Sequence, residues 1–274
     1  MSSAKMALLY DFDHTLSPKD MQEYHYIAKL GFKNPQDFWD ECARFTKENN
    51  MDGILSYMLM MVRFNPEVTR DMLVEEGRYL TYYPGVADWF DRINAYGAAN
   101  GIQIEHYIIS SGIKEIVEGC SIADRFTKIY ACSFAYDQAG RVLWPSRVVN
   151  YTTKTQYIFR INKGVLDETN DFDLNRSTPD EQKAIPFENI VYFGDGLTDV
   201  PSMKVVLQEG GQTIAIYDSK EAKETLAHEL KKDKRATFAL KADYSAGSKI
   251  EEVVKTMIDA AVARMHLNDL KNQE

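Results

Sequence analysis

Two apolar runs in this sequence lead directly into acidic residues, and this pattern constrains the fold more than any other. Residues 7–10 are followed by Asp11, and residues 190–193 are followed by a glycine-containing turn that carries Asp195. Short apolar runs that end in turn signals are typical of buried strands. In an open parallel sheet, ligands bind beyond the carboxyl ends of the strands, so both acids are predicted to face one crevice. The sequence therefore predicts an α/β fold with a doubly wound parallel sheet.

The acidic residues at the two strand ends favour a site for a hard cation. Mg²⁺ prefers carboxylate oxygens and commonly accompanies a substrate phosphate. Asp11 and Asp13 are two positions apart, so they project to the same side of an extended chain. One can act as a nucleophile and the other can transfer a proton. A solvated turn with local side-chain hydrogen bonds is the alternative interpretation of this pair alone.

Four motifs, in this order along the chain, resemble those of the haloacid dehalogenase-like hydrolases, in particular the phosphoserine-phosphatase-like branch. The motifs are residues 11–16, residues 108–112, Lys154 and residues 194–199. Ser111 stands where the branch commonly has glycine. The resemblance implies a Rossmann-like core, an inserted all-helical cap and Mg²⁺-dependent hydrolysis of a small phosphate monoester.

The resemblance also implies roles for the acids. Asp11 would attack phosphorus and form an aspartyl-phosphate, while Asp13 would protonate the leaving oxygen and later activate water. Mg²⁺ would be held by the Asp11 carboxylate, the Asp13 backbone carbonyl and Asp195. Asp199 would contact these ligands instead of the ion itself, or would reach the ion through water. A turn residue or helix cap is the alternative role for Asp195 and Asp199.

Three further residues are predicted to bind the phosphate. Ser110 and Lys154 would hold its oxygens through their side chains, and Ser111 through its backbone N–H. Ser110 could instead simply end its strand, since serine is common at helix N-caps. Lys154 precedes an apolar helical segment, and nearby Lys163 is the alternative candidate.

The tract from residue 18 to residue 83 is predicted to be the helical cap, and residues 1–17 and 84–274 the core. Apolar positions recur at helical spacing within residues 24–30 and 38–45. Further elements are predicted as follows: helices over 52–64, 66–80, 113–119 and 248–267, strands over 101–109 and 212–217, and a hairpin of 129–136 with 141–144.

Substrate specificity is expected to reside in the cap. Asp20 occupies the place of an acidic residue that contacts the substrate amine in phosphoserine phosphatases, but it could instead cap a helix that begins there. A substrate carboxylate would need a cap arginine, and the candidates are Arg44, Arg63, Arg70 and Arg78. We expect a small polar phosphomonoester, with phosphoserine as one candidate.

Composition excludes several other functions. The net charge of −9 argues against nucleic acid or an anionic membrane as a partner. Three scattered cysteines, too few for a disulfide framework, indicate a reducing compartment, and the cytoplasm is the expected location. The longest apolar stretch, near residues 54–62, is far shorter than a membrane span. The sequence does not determine the oligomeric state.

Two alternative functions remain open at this point. A phosphotransferase that passes the phosphoryl group to an alcohol would use the same residues. A non-enzymatic phospho-receiver domain also forms an aspartyl-phosphate, but Asp13 and an enclosing cap disfavour it. Dehalogenation is disfavoured because that branch has no use for an acid such as Asp13.

Overall fold

The computed structural model describes residues 4–271 and contains one seven-stranded sheet. The central strands are buried on both faces, as expected of parallel strands covered by helices. The strands are β1 (Ala4–Tyr10), β2 (Ile102–Ile113), β3 (Lys128–Tyr136), β4 (Val142–Arg147), β5 (Ile190–Gly194), β6 (Gln212–Tyr217) and β7 (Phe238–Lys241).

The order of the strands confirms the doubly wound prediction. It is β4-β3-β2-β1-β5-β6-β7, with every neighbouring pair parallel except the β3–β4 hairpin. The chain winds outward in opposite directions from β1, so the boundary between β1 and β5 is the switch point of the sheet. Ligands of open α/β sheets bind beyond the strand ends at such a point. The two predicted acidic strand ends lie there.

Helices cover both sides of the sheet and also fill the segment between β1 and the first core helix. The helices are α1 (Tyr26–Lys29), α2 (Pro35–Asn49), α3 (Gly53–Phe64), α4 (Arg70–Glu76), α5 (Val86–Ala99), α6 (Lys114–Glu118), α7 (Lys154–Lys163), α8 (Asp171–Asn175), α9 (Val200–Gln208), α10 (Glu221–Lys232) and α11 (Lys249–Lys271). α5 packs with α11, and α7 packs with α9. Within the described residues, no helix combines the length and apolar character that a membrane span requires.

The helical insertion, α1 to α4, enters and leaves the core through neighbouring chain segments. The backbone N–H of Tyr83 donates to the carbonyl of Leu16 at 3.0 Å. Gly85 follows with φ +78°, and a Cβ there would overlap the backbone of Ser245. Both the left-handed conformation and the close approach therefore require glycine. The domain limits 1–17, 18–83 and 84–274 stay a prediction.

The predicted helix over 66–80 is wrong at its start, since α4 begins at Arg70. The Thr69 hydroxyl caps this helix by accepting a backbone N–H. The residues before it pair with the β3–β4 hairpin, where the N–H of Val142 donates to the Val68 carbonyl at 3.0 Å. Long-range backbone pairing thus overrides the local helix signal.

Other boundaries also differ from the prediction. β2 does not end at Ser110 but continues to Ile113, with an irregular register against β3 after Ile109. The helix that follows is only the five-residue α6, shorter than the predicted 113–119. The prediction also omitted α10 and β7. By contrast, the predicted strand over 212–217 and the hairpin of β3 and β4 are confirmed.

A buried hydrogen-bond network connects the end of β1 with β2 and α5. The Tyr10 hydroxyl accepts from Trp89 Nε1 at 2.8 Å and lies 3.1 Å from His106 Nδ1. His106 Nε2 lies 3.0 Å from Asn94 Oδ1. Burial lowers the pKa of His106 to about 3, so the ring is neutral and each polar atom depends on a protein partner.

Replacing Tyr10 with phenylalanine tests this network. Tyr10→Phe removes one hydroxyl and leaves the Trp89 indole N–H and a His106 nitrogen without that partner. We expect a loss of about 1–3 kcal/mol in the free energy of unfolding, measured by urea denaturation. The exposed Tyr151 provides the matched control, and Tyr151→Phe should change stability by less than about 0.5 kcal/mol. Equal stabilities of the two variants would contradict the role of the network.

Candidate active site

Lys154, the first residue of α7, lies fully buried at the centre of the acidic cluster. Its Nζ is 3.0 Å from Asp11 Oδ2 and donates to Asp199 Oδ1 at 2.8 Å. Burial opposes the ammonium charge, but the two carboxylates outweigh it and raise the pKa of Lys154 well above its ordinary value. The structure therefore brings Lys154 to the acids, whereas the alternative Lys163 binds backbone carbonyls at the other end of α7.

The Asp11 carboxylate is held at both oxygens. Oδ1 accepts the N–H of Phe12 at 2.8 Å, and Oδ2 faces Lys154. Burial raises the pKa of Asp11 to about 7, although the ammonium of Lys154 lowers it and Asp199 raises it further. The backbone N–H of Asp11 also donates to the carbonyl of Phe193 at 2.9 Å, so pairing between β1 and β5 extends to the acid itself.

Asp199 organises the turn after β5. Its Oδ1 accepts from Lys154 and from the Tyr192 hydroxyl, both at 2.8 Å. Its Oδ2 accepts the backbone N–H of Asp195 at 3.1 Å. A Cβ on Gly194 would overlap the Asp199 carboxylate, so this close approach requires glycine. These bonds engage both oxygens of Asp199 and give it a positioning role in the turn.

Asp13 lies in the same cavity as Asp11 but in a different environment. Its Oδ1 accepts the backbone N–H of Met21 at 2.9 Å. Burial first, and then the charges of Asp20 and Asp11, raise the pKa of Asp13 well above its ordinary value. The protonated form of this carboxyl is therefore more favoured than that of an exposed aspartate.

Ser110 and Ser111 lie at the same end of the sheet. The buried Ser110 Oγ accepts the backbone N–H of Gly112 at 2.9 Å, which leaves its own O–H to donate. The Ser111 carbonyl accepts from the Tyr57 hydroxyl at 2.5 Å, so α3 is tied directly to the core. Ser111 Oγ is buried without a hydrogen-bond partner among the described residues.

The structure contradicts the alternative role of Asp20 as a helix cap. Asp20 precedes a three-residue 3₁₀ turn, and its side chain makes no capping hydrogen bond. The carboxylate lines the cavity with the catalytic candidates, 3.6 Å from His14 Nε2. This carboxylate raises the pKa of His14, although burial opposes the shift. His14 has φ +57°, an uncommon conformation that points to a constrained turn.

Lys223 is a residue that the sequence reasoning missed. It projects from α10, and its Nζ lies 2.5 Å from Asp195 Oδ2 in the same cavity. The amphipathic pattern of α10 could have revealed the helix. No local signal distinguishes Lys223 from an ordinary surface lysine, because the contact depends on β6 and α10 returning the chain to the strand ends.

The donor set fits a hard divalent cation. Carboxylate oxygens of Asp11, Asp195 and Asp199 lie within 4.8 Å of one another, and all three residues are buried. An all-oxygen set of this kind suits Mg²⁺. Because Asp199 already accepts from four groups, Asp11 and Asp195 are the better candidates for direct ligands.

The acids open into a cavity of about 500 Å³ whose cap side is lined by Trp39, Ile54 and Tyr57. None of the four candidate cap arginines is among the described residues that line it. Arg63 lies over the ring of Phe45, 5.6 Å from its centroid. The other three form ion pairs elsewhere: Arg44 with Glu41 and Glu48, Arg70 with Glu118, and Arg78 with Glu75.

Comparisons with known proteins agree with this architecture. An uncharacterized protein of Borreliella burgdorferi is 28% identical over 276 residues, covering 89% of this chain and 93% of its own length. A substrate-bound phosphoserine phosphatase complex has a similar fold, with a TM-score of 0.58 and 16% identity over 92% of this chain and 98% of that one. A HAD family hydrolase from Salmonella enterica serovar Typhi gives a TM-score of 0.57 at 16% identity, covering 85% of this chain and 66% of that chain.

The likeness to these two solved structures concerns the fold, whereas the family is shown by sequence. A family model for haloacid dehalogenase-like hydrolase matches residues 8–204, which include the acidic ends of β1 and β5 and the lysine of α7. On that match, this chain belongs to the haloacid dehalogenase-like hydrolases.

Proposed function

We propose that this protein is a Mg²⁺-dependent phosphatase that hydrolyses a small phosphate monoester through an aspartyl-phosphate intermediate. The observation that carries the proposal is the buried cluster of Asp11, Asp195 and Lys154 at the switch point of the sheet. This cluster would supply a nucleophile, metal-binding oxygens and a fixed cation at one point. The family and the phosphoserine phosphatase fold support the same reaction class.

Asp11 is the proposed nucleophile. The Phe12 N–H and Lys154 fix its carboxylate, and Lys154 favours the charged form that attack requires. As a bond forms between a carboxylate oxygen and phosphorus, the bond from phosphorus to the ester oxygen breaks. The product of this step is a phosphoryl group on Asp11 and a free alcohol.

Asp13 is the proposed general acid and base. The pKa of Asp13 is raised by burial, which favours the protonated form that a donor to the departing ester oxygen requires. The carboxylate that remains then takes a proton from water as this water attacks the aspartyl-phosphate. Phosphate leaves, and both aspartates return to their starting states.

Ser110, Ser111 and Lys154 are proposed to hold the phosphate oxygens. The Ser110 hydroxyl is free to donate because its oxygen already accepts from Gly112. The Ser111 backbone N–H and the Lys154 ammonium would supply two further donors. Preorganised donors of this kind stabilise the charge that the transferring group carries in the transition state.

Asp11, Asp195 and the backbone carbonyl of Asp13 are proposed to hold Mg²⁺, with Asp199 orienting the turn behind them. The bound ion would neutralise phosphate charge and keep the phosphoryl group beside the nucleophile. Lys223 is the competing cation at Asp195, so metal binding would release the contact between these two residues.

The proposed partner is a small phosphomonoester, not nucleic acid or a membrane, which the net charge of −9 supports. The proposed location is the cytoplasm, in keeping with the three buried free cysteines, Cys42, Cys120 and Cys132. A phosphotransferase would use the same site. Product analysis with glycerol present distinguishes the two, since transfer yields glycerol phosphate and hydrolysis yields inorganic phosphate.

Substitution of the two acids should separate their roles. Asp11→Asn should abolish phosphate release and the covalent intermediate. Asp13→Asn should slow turnover by about a hundred- to ten-thousand-fold, the usual contribution of general acid–base assistance. Phosphate release from a generic aryl phosphate and trapping of the phosphoenzyme measure both effects. Phosphate release by Asp11→Asn at the wild-type rate would rule out this nucleophile.

Activity should require Mg²⁺, and the affinity of the protein for Mg²⁺ should depend on pH. EDTA should remove activity and Mg²⁺ should restore it. The pKa of Asp11 is raised to about 7 and that of Asp195 is also raised, so protons occupy these groups at acid pH and must leave before the metal binds. Mg²⁺ affinity should therefore rise with pH by up to about tenfold per pH unit for each proton displaced, and the contribution of Asp11 should level off above about pH 7.

Calorimetric titration at several pH values measures this profile without relying on turnover. Asp11→Asn should show a weaker pH dependence, because the variant has lost one titrating ligand. Full activity in EDTA, or an Mg²⁺ affinity that falls as the pH rises, would contradict the proposed site.

Lys154 should stabilise the folded protein in addition to binding phosphate. Lys154→Met leaves two buried carboxylates without their cation and should lower the free energy of unfolding by about 3–5 kcal/mol. Adding Asp199→Asn should recover part of this loss, because one buried charge is removed. The exposed Lys249, paired with Glu252, is the control, and Lys249→Met should be nearly neutral in urea denaturation. A neutral Lys154→Met would contradict this dependence.

A further inference from the structure

A hydrogen bond connects the helical insertion with the strand end that carries the predicted phosphate-binding serines. Tyr57 of α3 is 5% exposed, and its hydroxyl donates to the Ser111 carbonyl at 2.5 Å. Its ring lines the cavity beside that of Trp39, with the two centroids 5.9 Å apart. The proposed chemistry does not use the Tyr57 hydroxyl, so its contact with the end of β2 calls for a separate explanation.

The peptide group between Ser111 and Gly112 is held at both of its ends. Its carbonyl accepts from Tyr57, and its N–H donates to Ser110 Oγ at 2.9 Å. Because a peptide group is planar, fixing the carbonyl also fixes the direction of the N–H. The two hydrogen bonds form a chain in which each polarises the next. The orientation of the Ser110 hydroxyl therefore depends on Tyr57.

Strand pairing gives this peptide group little additional support. The register of β2 against β3 shifts between Ile109 and Ile113, so the ladder is irregular at this point. The N–H of Ile113 donates to Met21 Sδ at 3.1 Å, and a thioether is a weak acceptor. A Cβ on Gly112 would overlap the Met21 side chain, so the site requires glycine, whose backbone is conformationally free. A donor to the carbonyl is needed to fix this peptide.

The part of the insertion formed by α4 is fastened tightly to the core. A Cβ on Gly119 would overlap the Val74 carbonyl, so α4 and the end of α6 are in direct backbone contact. The Arg70 N–H donates to the Gly140 carbonyl at 3.0 Å, and the Arg70 guanidinium lies 2.6 Å from Glu118. No residue of α4 is among the described residues that line the active-site cavity.

α2 and α3 are fastened less tightly, and residues 35–64 are called the lid below. The lid faces the β3–β4 hairpin across an apolar cavity of about 100 Å³, which Leu59 of α3 and Leu143 of β4 help to line. Unfilled space forfeits van der Waals contacts, so this contact is easier to open than that of α4. The chain enters the lid after Gly31, which has φ +91°, and leaves it at Asn65.

We propose that Tyr57 is a positioning residue that couples closure of the lid to the Ser110 hydroxyl through the peptide group between Ser111 and Gly112. With the lid closed, Tyr57 fixes this peptide, and the Ser110 hydroxyl is oriented to donate to phosphate. With the lid open, the carbonyl loses its donor and the peptide can turn. The inference rests on the proposed phosphatase function, which places phosphate at Ser110. The moving part is smaller than the predicted cap of residues 18–83, because α4 stays with the core.

A double-mutant cycle tests the coupling. Inorganic phosphate is titrated by calorimetry in the presence of Mg²⁺, so turnover is not needed. Tyr57→Phe keeps the ring and removes the hydroxyl, and it should weaken phosphate binding by about tenfold. In a Ser110→Ala background the same substitution should weaken binding by less than about twofold, because the group through which Tyr57 acts is gone.

The control for this cycle is Tyr79→Phe, the same substitution at an exposed position of the insertion. It should bind phosphate like the wild type. Equal losses from Tyr57→Phe in the two backgrounds, or no loss in either, would overturn the coupling.

Two native cysteines report on the lid itself. The buried Cys132 of β3 interacts with the Tyr57 hydroxyl, whereas the buried Cys120 lies against Gly77, directly after α4. Iodoacetamide labelling is followed at each cysteine by peptide mass spectrometry. Tyr57→Phe should accelerate labelling of Cys132 by about tenfold and that of Cys120 by less than about twofold. Equal acceleration at both cysteines would show that more than the lid opens, and would overturn this division of the insertion.

The inference and the proposed function fail differently. The cycle is also measured as kcat/KM for 4-nitrophenyl phosphate. If the wild type neither binds phosphate nor hydrolyses this ester with Mg²⁺, the phosphatase function fails, and the role of Tyr57 towards phosphate fails with it. If the wild type hydrolyses the ester but the two substitutions act additively, the phosphatase stands and the coupling through Ser110 is wrong.

Discussion

The buried ion pairs of Lys154 with Asp11 and Asp199 are the interaction on which the rest of the site depends. A carboxylate removed from water is strongly disfavoured unless a counter-charge and hydrogen bonds compensate. Lys154 is fully buried and contacts one acid from each of the two strand ends that meet at the switch point. Without this ammonium, the acids would protonate or separate, and the crevice between β1 and β5 would lose its negative oxygens.

Asp199 connects Lys154 to the turn that follows β5. Because Asp199 also accepts the backbone N–H groups of Asp195 and Gly196, its carboxylate connects Lys154 directly to the backbone of the turn. The Asp195 carboxylate itself is contacted by Lys223 of α10. Helix, strand and turn consequently form one electrostatic unit, although only a few of its members would touch a substrate.

The sequence predicted those parts of the site whose position follows from local patterns and sheet geometry. Asp11 and Asp195 directly follow buried parallel strands, so their meeting could be inferred without coordinates. Lys223 could not, since its contact requires the correct placement of a helix that itself was not predicted. The interpretation of Asp20 depended on whether a regular helix begins there, and a short 3₁₀ turn decided it. The start of α4 at Arg70 was likewise set by pairing with a distant hairpin.

The hydrogen bond between Tyr83 and Leu16 has a consequence for how such proteins diversify. It brings the two ends of a long helical insertion to neighbouring positions, so the entropy of closing that loop is largely independent of what the insertion contains. Residues of α1 to α4 can therefore be replaced, lengthened or shortened during evolution with little strain on the sheet. The same scaffold of strands can in this way be retained while the chamber above it acquires new chemical selectivity.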